Sequence, residues 1–140
     1  MMKMLHSYWA YLVIALLIVT IINAIINAKK EFKDTSLRLA LFTLIVSHIQ
    51  LIIGLGWYFM SPVYKAIKEN GMGTMMGDST IRLLAVEHPI MMVLAIVFIT
   101  IGFSKHKKKT TDVAKFKTIT IWYGLALVFI LLKIPWKHWF

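Results

Sequence analysis

Four long apolar runs constrain this chain more than any other feature of its sequence. They cover residues 8–28, 39–60, 83–103 and 118–136. A helix that crosses a bilayer needs roughly 20 predominantly apolar residues, and each run is about that long. The strands of a membrane barrel would alternate polar and apolar side chains, and these runs do not. The pattern therefore predicts four transmembrane helices.

Composition agrees with a membrane protein and excludes several other classes. Hydrophobic residues make up 59% of the 140 residues and charged residues only 16%, against about 45–50% and about 25% in soluble domains. That balance excludes a soluble globular enzyme, a disordered tail and a fibrous protein. The chain has no cysteine, which excludes a disulfide framework, an iron–sulfur cluster, a zinc ribbon and a cysteine nucleophile.

The connections between the runs are short and cover residues 29–38, 61–80 and 104–117. Short links favour antiparallel neighbours. We therefore expect an all-α fold, with one transmembrane domain over residues 1–140 that forms an antiparallel four-helix bundle. Pro62 and Pro135 are expected to follow or end the second and fourth helices. Residues of the N-cap type precede the second and third runs. These clusters are Asp34-Thr35-Ser36 and Asp78-Ser79-Thr80.

Lysine and arginine are concentrated in two of the three connections. Ten of the sixteen lie in residues 29–38 and 104–117. The positive-inside rule places these connections in the cytoplasm, with both termini on the outer, periplasmic side of a bacterial inner membrane. The formal charge of +10 then faces anionic membrane lipids, and nucleic acid is not an expected partner. The first run exceeds the ~7–15 apolar residues of a signal peptide, so we expect a retained helix.

Three histidines lie in or beside three different apolar runs. His48 lies in the second run, His88 in the third, and His6 just before the first. One such histidine would most simply be a hydrogen-bonding group between helices, but three favour a ligand set, because imidazole is the axial ligand of haem iron. Covalent attachment needs cysteine, so the expected cofactor is a non-covalent haem b. We expect His106 and His138 to lie outside the bilayer and to be solvated.

The depth of each histidine tests which two could bind one haem. At a rise of ~1.5 Å per residue, His48, His88 and His6 lie roughly 15, 25 and 35 Å above the basic boundary. His88 is the shared candidate, and the pairs His48/His88 and His6/His88 stay open. The second pair requires the first helix to sit lower, with Asn23 and Asn27 near the cytoplasmic surface. The first and third helices are diagonal in an up-down bundle, so a haem between them would lie in the core.

Four further residues are candidate members of a haem pocket. Gly54 and Gly56 would let a macrocycle approach the second helix, or would serve close helix packing. Arg82 would pair with haem propionates, or would snorkel to the lipid headgroups. For Glu87 three roles are considered: proton exchange with a quinol, a hydrogen bond to the second nitrogen of a ligand histidine, and a link between two helices through a neutral or ion-paired carboxyl group.

Methionines suggest a rival chemistry. Met72, Met75 and Met76 lie in the middle connection, and thioether together with imidazole suits Cu(I). Methionine also fills apolar space in general, and the sequence has no repeated Met-x-x-Met cluster. Copper handling is therefore the minor alternative.

Short strings around the three histidines carry a family resemblance. They are LHSYW around His6, SHIQLIIGLGWYF around His48 and VEHPIMM around His88. The sequence resembles a family of short bacterial four-helix membrane proteins described as cytochrome-b-like, over most of its length and including the string KKKTTDVAKFK. The resemblance implies haem binding, with His6, His48 and His88 as the candidate ligands.

These patterns together predict a b-type cytochrome-like membrane protein. It would bind haem b through two histidines and transfer electrons between a quinol or a partner protein and another redox centre. A chain this small is expected to be a redox subunit, in a homo-oligomer or a larger membrane complex, rather than an independent enzyme. The alternative is a cofactor-free accessory subunit whose polar side chains join helices, each contributing only ~0.6 kcal/mol.

Overall fold

The computed structural model describes residues 2–138, apart from the side chain of His138. Over these residues the protein is 87% helical and has no strands. Four helical segments are long and apolar enough to cross a membrane, which indicates a multi-pass membrane protein. In chain order the elements are α1 (Met2–Ile26), α2 (Asp34–Met60), α3 (Pro62–Asn70), α4 (Met72–Met75), α5 (Ser79–Arg82), a π-helical turn (Leu83–Glu87), α6 (His88–Lys107), α7 (Asp112–Lys133) and a 3₁₀ turn (Trp136–His138).

The helices extend further into the polar connections than the apolar runs predict. α1 begins at Met2 rather than at residue 8, and α7 begins at Asp112 rather than at residue 118. Lysine and glutamate are good helix formers, so a helix continues past its apolar run until a capping residue stops it. Thr111 is such a residue, because its side chain accepts a hydrogen bond from the backbone N–H of Ala114 at 3.2 Å. Only residues 108–111 then connect α6 to α7.

Of the two N-caps predicted from the sequence, one is present in the structure and the other is not. Asp78 caps α5, since its side chain accepts hydrogen bonds from the next helical N–H groups, as predicted. The cap expected from Asp34-Thr35-Ser36 is wrong: the N-cap of α2 is Lys33, and no side chain caps this helix. Ser36 instead lies within the helix and accepts a hydrogen bond from Asn23 Nδ2 at 3.1 Å. That bond places Asn23 at the same depth as the first turn of α2. The first helix therefore sits low relative to α2, as a His6/His88 pair requires.

Each long helix packs mainly against two others. α1 contacts α2 and α7, and α6 contacts α7 and α2. Trp9 Nε1 donates a hydrogen bond to the Val46 carbonyl at 2.9 Å, and the Thr20 and Thr43 hydroxyls lie 2.8 Å apart. Numbers rise along α1 while those of its partners fall along α2, so these two helices run in opposite directions. The largest fully buried side chains of the core include Leu17, Ile99, Phe116, Ile119 and Tyr123.

The two basic connections lie together at one end of the molecule. Lys33, which precedes α2, lines the same small pocket as Lys107 and Lys115 of the α6–α7 region. We call this the basic end. At the opposite end lie the start of α1, the end of α2, the start of α6 and the end of α7. The sides of the long helices carry exposed apolar residues, Ile26 and Ile52 among them, which suits contact with lipid.

Candidate functional site

A cavity of about 650 Å³ opens between the long helices at the end opposite the basic end. Its walls are mostly apolar, with few polar groups. His6 and Lys3 of α1, Gln50 of α2 and His88 of α6 are among those polar groups. A mostly apolar cavity of about 300–1,000 Å³ with a few converging polar groups is the usual form of a cofactor or ligand site.

The His6 and His88 imidazole rings lie next to each other at this cavity. Their centroids are 6.3 Å apart and their planes are inclined by 79°. The rings come from the first and third spans, whose helices make their main contacts with α2 and α7. Of the two ligand pairs left open by the sequence, the structure therefore brings together His6 and His88.

The His88 ring is held by the end of α7. Its Nδ1 lies 2.8 Å from the carbonyl oxygen of Lys133, the last residue of α7. The last carbonyls of a helix have no helical donor, so this oxygen is free to accept. Because a carbonyl can only accept, Nδ1 carries the proton and Nε2 keeps its lone pair. This neutral tautomer, oriented by a backbone carbonyl, is the form in which histidine binds metal.

The His6 ring is held less completely. Gln50 Nε2 donates a hydrogen bond to the His6 carbonyl at 2.8 Å. Among the described residues, His6 Nδ1 and Gln50 Oε1 are both buried and lack a partner with hydrogen-bond geometry. The two side chains nevertheless lie close together, so a small rotation would let one satisfy the other. A buried imidazole without a fixed partner is available to a ligand.

Gly54 gives the His6 ring its space. A Cβ atom built on Gly54 would lie 3.0 Å from His6 Cε1, which is tighter than nearly all real contacts. The side chain that approaches this glycine closely is therefore the His6 ring, and the approach of a macrocycle stays a prediction. Gly56 does not line the cavity, and a Cβ there would meet the Met2 side chain at 3.1 Å, which corresponds to the predicted role in helix packing.

A π-helical turn precedes His88 and sets its position. The His88 N–H donates to the carbonyl of Leu83, five residues back, instead of four as in an α-helix. Pro89 has no N–H and cannot donate to the carbonyl of Ala85. The Tyr58 hydroxyl of α2 donates to that carbonyl at 2.9 Å. The proline thus frees a carbonyl that ties the start of the third span to α2.

His48 lies apart from this cavity. Its side chain is exposed, with Nδ1 2.8 Å from the Leu44 carbonyl and Nε2 3.3 Å from Thr100 Oγ1. Both ring nitrogens therefore contact the histidine's own helix or α6, and the ring faces the outside of the molecule. The structure does not bring His48 and His88 together.

Glu87 forms two ion pairs on the rim of the same end. Its carboxylate oxygens lie 3.2 Å from Arg82 Nε and 3.1 Å from Lys133 Nζ. The pair with Lys133 joins α7 to the third span, which is the third of the roles considered for Glu87. The hydrogen bond to His88 Nδ1 involves the Lys133 carbonyl and not Glu87. Arg82 also donates to the Met76 carbonyl at 3.3 Å, and it does not line the cavity.

His106 does not behave as predicted. It is only 1% exposed, with its ring centroid 5.4 Å from that of Phe32 and 4.8 Å from that of Phe103. The expectation of a solvated side chain is wrong, because α6 continues to Lys107 and carries His106 into the packed region between the connections. The side chain of His138 lies outside the described part of the structure.

Some contributors to the site gave no usable signal in the sequence. Tyr58 reads as an interfacial aromatic residue, and Lys3 as a solvated charge near the terminus. The Lys133 carbonyl is a backbone atom, which no side-chain pattern can indicate. These groups become part of the site only through the packing of α1, α2 and α7 around the third span.

Comparison with known proteins gives no family. No protein-family model, curated protein sequence or solved structure matches this chain. The resemblance to the cytochrome-b-like family, and the haem that it implies, stay predictions.

Proposed function

We propose that this protein binds one haem b between His6 and His88 and transfers electrons within a membrane. In this proposal the four long helices form an antiparallel bundle in a bacterial inner membrane, with both termini on the periplasmic side. The observation that carries the proposal is the approach of the two imidazoles at the cavity, with 6.3 Å between ring centroids.

That separation suits one metal ion between two imidazoles. If His6 and His88 both bound one metal ion at about 2 Å, their ligating nitrogens would lie about 4 Å apart. Each centroid lies about 1 Å behind its nitrogen, so the expected centroid distance is about 6 Å. The distance in the structure matches this value. The lone pair left on His88 Nε2 by the Lys133 contact is the second requirement for a ligand.

The number of ligands also favours haem over a metal ion held by His, Cys, Asp or Glu side chains alone. Within residues 2–138, no group of three or more His, Cys, Asp or Glu side chains could hold a metal ion. Haem needs only two protein ligands, because its macrocycle supplies the other four nitrogens. The cavity, at about 650 Å³, is within the range of pockets that hold ligands of cofactor size.

The residues around the cavity would then have distinct roles. His88 and His6 would be the ligands. The Lys133 carbonyl would orient the His88 ring, and the Gln50 amide would hold the backbone of His6. Lys3 lines the cavity and would pair with a carboxylate of the cofactor, since Arg82 is engaged by Glu87. The apolar walls would exclude water and so influence the redox potential. Bound haem would supply a one-electron couple.

The exposed apolar sides of the long helices support a wider role within a membrane assembly. We propose that the protein acts as a redox subunit in a homo-oligomer or a larger membrane complex. A quinol is the proposed electron donor. Glu87 adjoins His88 in sequence and its side chain is 32% exposed, so it is the proposed group for proton exchange with the quinol.

A cofactor-free accessory subunit is the second candidate. Glu87 and Lys133 join two helices, and the hydroxyls of Thr20 and Thr43 join two others. Under this reading the polar residues act only as links between helices. Copper handling remains the minor alternative.

The experiment is a reduced-minus-oxidised visible spectrum of the detergent-purified protein after reconstitution with haem, with a pyridine haemochrome assay and metal analysis. His6→Ala and His88→Ala are each expected to abolish or shift the b-type spectrum. His48→Ala is the matched control, because this histidine lies outside the cavity, and its spectrum should equal that of the wild type. Circular dichroism checks that each variant is folded.

The outcomes separate the candidates. No stoichiometric haem in well-folded protein would refute the cytochrome proposal and favour the accessory subunit. Stoichiometric copper without haem would favour copper handling. Loss of the spectrum in His48→Ala but not in His6→Ala would refute the ligand pair.

A further inference from the structure

A second, smaller pocket lies at the basic end, far along the helices from the histidine pair. It has a volume of about 250 Å³ and is formed by both basic connections. Lys33 comes from the first of these connections, and Lys107 and Lys115 come from either side of the second. Lysines from two connections that are distant in sequence therefore converge on one pocket.

A buried histidine also lines this pocket. His106 is 1% exposed, and its Nδ1 has no partner with hydrogen-bond geometry among the described residues. Its ring lies between the rings of Phe32 and Phe103, which fix its orientation. The backbone of Phe103 lies close to this side chain but not in hydrogen-bond geometry with Nδ1, so the nitrogen is available to a ligand.

The start of α2 adds backbone donors. The N-cap of this helix is Lys33, and no side-chain hydrogen bond caps the helix. The first N–H groups of a helix have no helical partner, and together with the helix dipole they favour an anion. Asp34 follows directly and also lines the pocket. It is the only acidic residue among the described lining residues, against three lysines.

Two of the lysines are positioned by aromatic rings. Lys107 Nζ lies 4.7 Å from the centroid of the Phe103 ring, and Lys115 Nζ lies 5.5 Å from that of Phe32. These contacts keep the two ammonium groups near His106, so less side-chain freedom is lost when an anion binds. Phe32 and Leu37 give the pocket an apolar side.

We propose that this pocket binds a phosphate group, carried either by an anionic phospholipid or by a soluble phosphate compound. Lysine ammoniums, the open start of α2 and the His106 imidazole would surround the phosphate oxygens. Basic pockets between transmembrane helices at the cytoplasmic side are known to bind phosphorylated headgroups. The proposal does not depend on the haem site, because no residue is shared between the two cavities.

The test measures binding to the full-length protein in two arms. In the first arm the protein, in nanodiscs of phosphatidylcholine, is titrated with inorganic phosphate. In the second arm, native mass spectrometry measures retention of phosphatidylglycerol against phosphatidylcholine by detergent-purified protein. Binding in only the lipid arm identifies a phospholipid as the source, and binding in only the first arm identifies a soluble phosphate. No preference for the anion in either arm would overturn the proposal.

Paired charge variants test the location. The double variant Lys33→Gln/Lys115→Gln removes two pocket lysines and is expected to lower affinity about tenfold or more. The matched control Lys108→Gln/Lys109→Gln removes the same charge from exposed lysines of the same end that do not line the pocket. It should change affinity less than about threefold. Equal losses of affinity in both double variants would show that the anion is attracted to the basic surface in general. That result would refute a site in this pocket.

A third variant is expected to raise the affinity for the anion instead of lowering it. Asp34→Asn removes the one acidic side chain among the described lining residues and should raise affinity about threefold. A decrease would contradict the proposed position of the anion. Because Asp34 is exposed, this variant is expected to fold normally.

Discussion

Gly102 offers a direct test of how the third span packs against α7. A Cβ atom built on this glycine would lie 2.5 Å from Trp122 Cβ and 3.3 Å from Trp122 Cγ. Ordinary van der Waals contact begins near 3.4 Å. Because Trp122 Cβ is attached directly to the backbone, no side-chain rotation relieves the clash. In Gly102→Ala the two helices must separate locally by about 0.9 Å or more.

Gly124 provides the matched control. It also lies within a long helix, but a Cβ there would meet nothing within 4 Å. Gly→Ala raises helix propensity by about 1 kcal/mol at either position, so this gain cancels when the two variants are compared. The remaining difference is the cost of overpacking, about 1–3 kcal/mol. We expect Gly102→Ala to be less stable than Gly124→Ala by about that amount.

The assay is reversible unfolding of both variants in mixed micelles, with increasing SDS and circular dichroism as the signal. The free energy of unfolding is extrapolated in the same way for each protein. If both variants are at least as stable as the wild type, the close approach of α6 and α7 at Gly102 is wrong. Equal destabilisation of both variants would refute the assignment of Gly124 to open space.

Three further substitutions test polar contacts between the helices by the same unfolding assay. Tyr123→Phe removes the buried hydrogen bond to the Ala40 carbonyl, 2.9 Å long, and should lower the free energy of unfolding by about 1 kcal/mol. Tyr58→Phe leaves the Ala85 carbonyl without its tyrosine donor and should cost about 1 kcal/mol or more. Glu87→Gln should cost less than about 1 kcal/mol, because its ion pairs are partly exposed to solvent.

These three results would contradict the structure in different ways. An unchanged Tyr123→Phe variant would mean that α7 does not reach α2 at Ala40. An unchanged Tyr58→Phe variant would mean that the carbonyl freed by Pro89 finds another donor. A loss well above 1 kcal/mol in Glu87→Gln would place this carboxylate in a much drier environment than the rim.

The extent of each span was only partly predictable. The apolar runs locate the helices because the bilayer requires about 20 apolar residues, but they locate the ends poorly. α2 shows the reason. Three potential N-cap residues stand at its start, yet Lys33 takes the N-cap position and Ser36 bonds to Asn23 instead. A serine or aspartate has several possible partners, and packing decides among them.

The candidate site, too, was only partly predictable from the sequence. Counting helical rise identified His88 as the shared ligand candidate but left its partner open between His6 and His48. The choice depends on how far α1 slides along its neighbours and on which way each ring faces. His48 faces outwards towards Thr100, whereas Gly54 leaves room for the His6 ring at the cavity. The spacing of the histidines in the sequence determines neither the rotation of a helix about its axis nor its axial position.

The sequence by itself determined that this is an all-helical chain with four segments able to cross a membrane, because length and hydrophobicity alone decide that question. Only the tertiary structure decided which polar groups meet. It placed the His6 ring beside that of His88, brought the Lys133 carbonyl to His88 Nδ1, and buried His106 beside lysines from both basic connections. Such meetings depend on the rotation and axial position of each helix, which are set by close packing of side chains from all four.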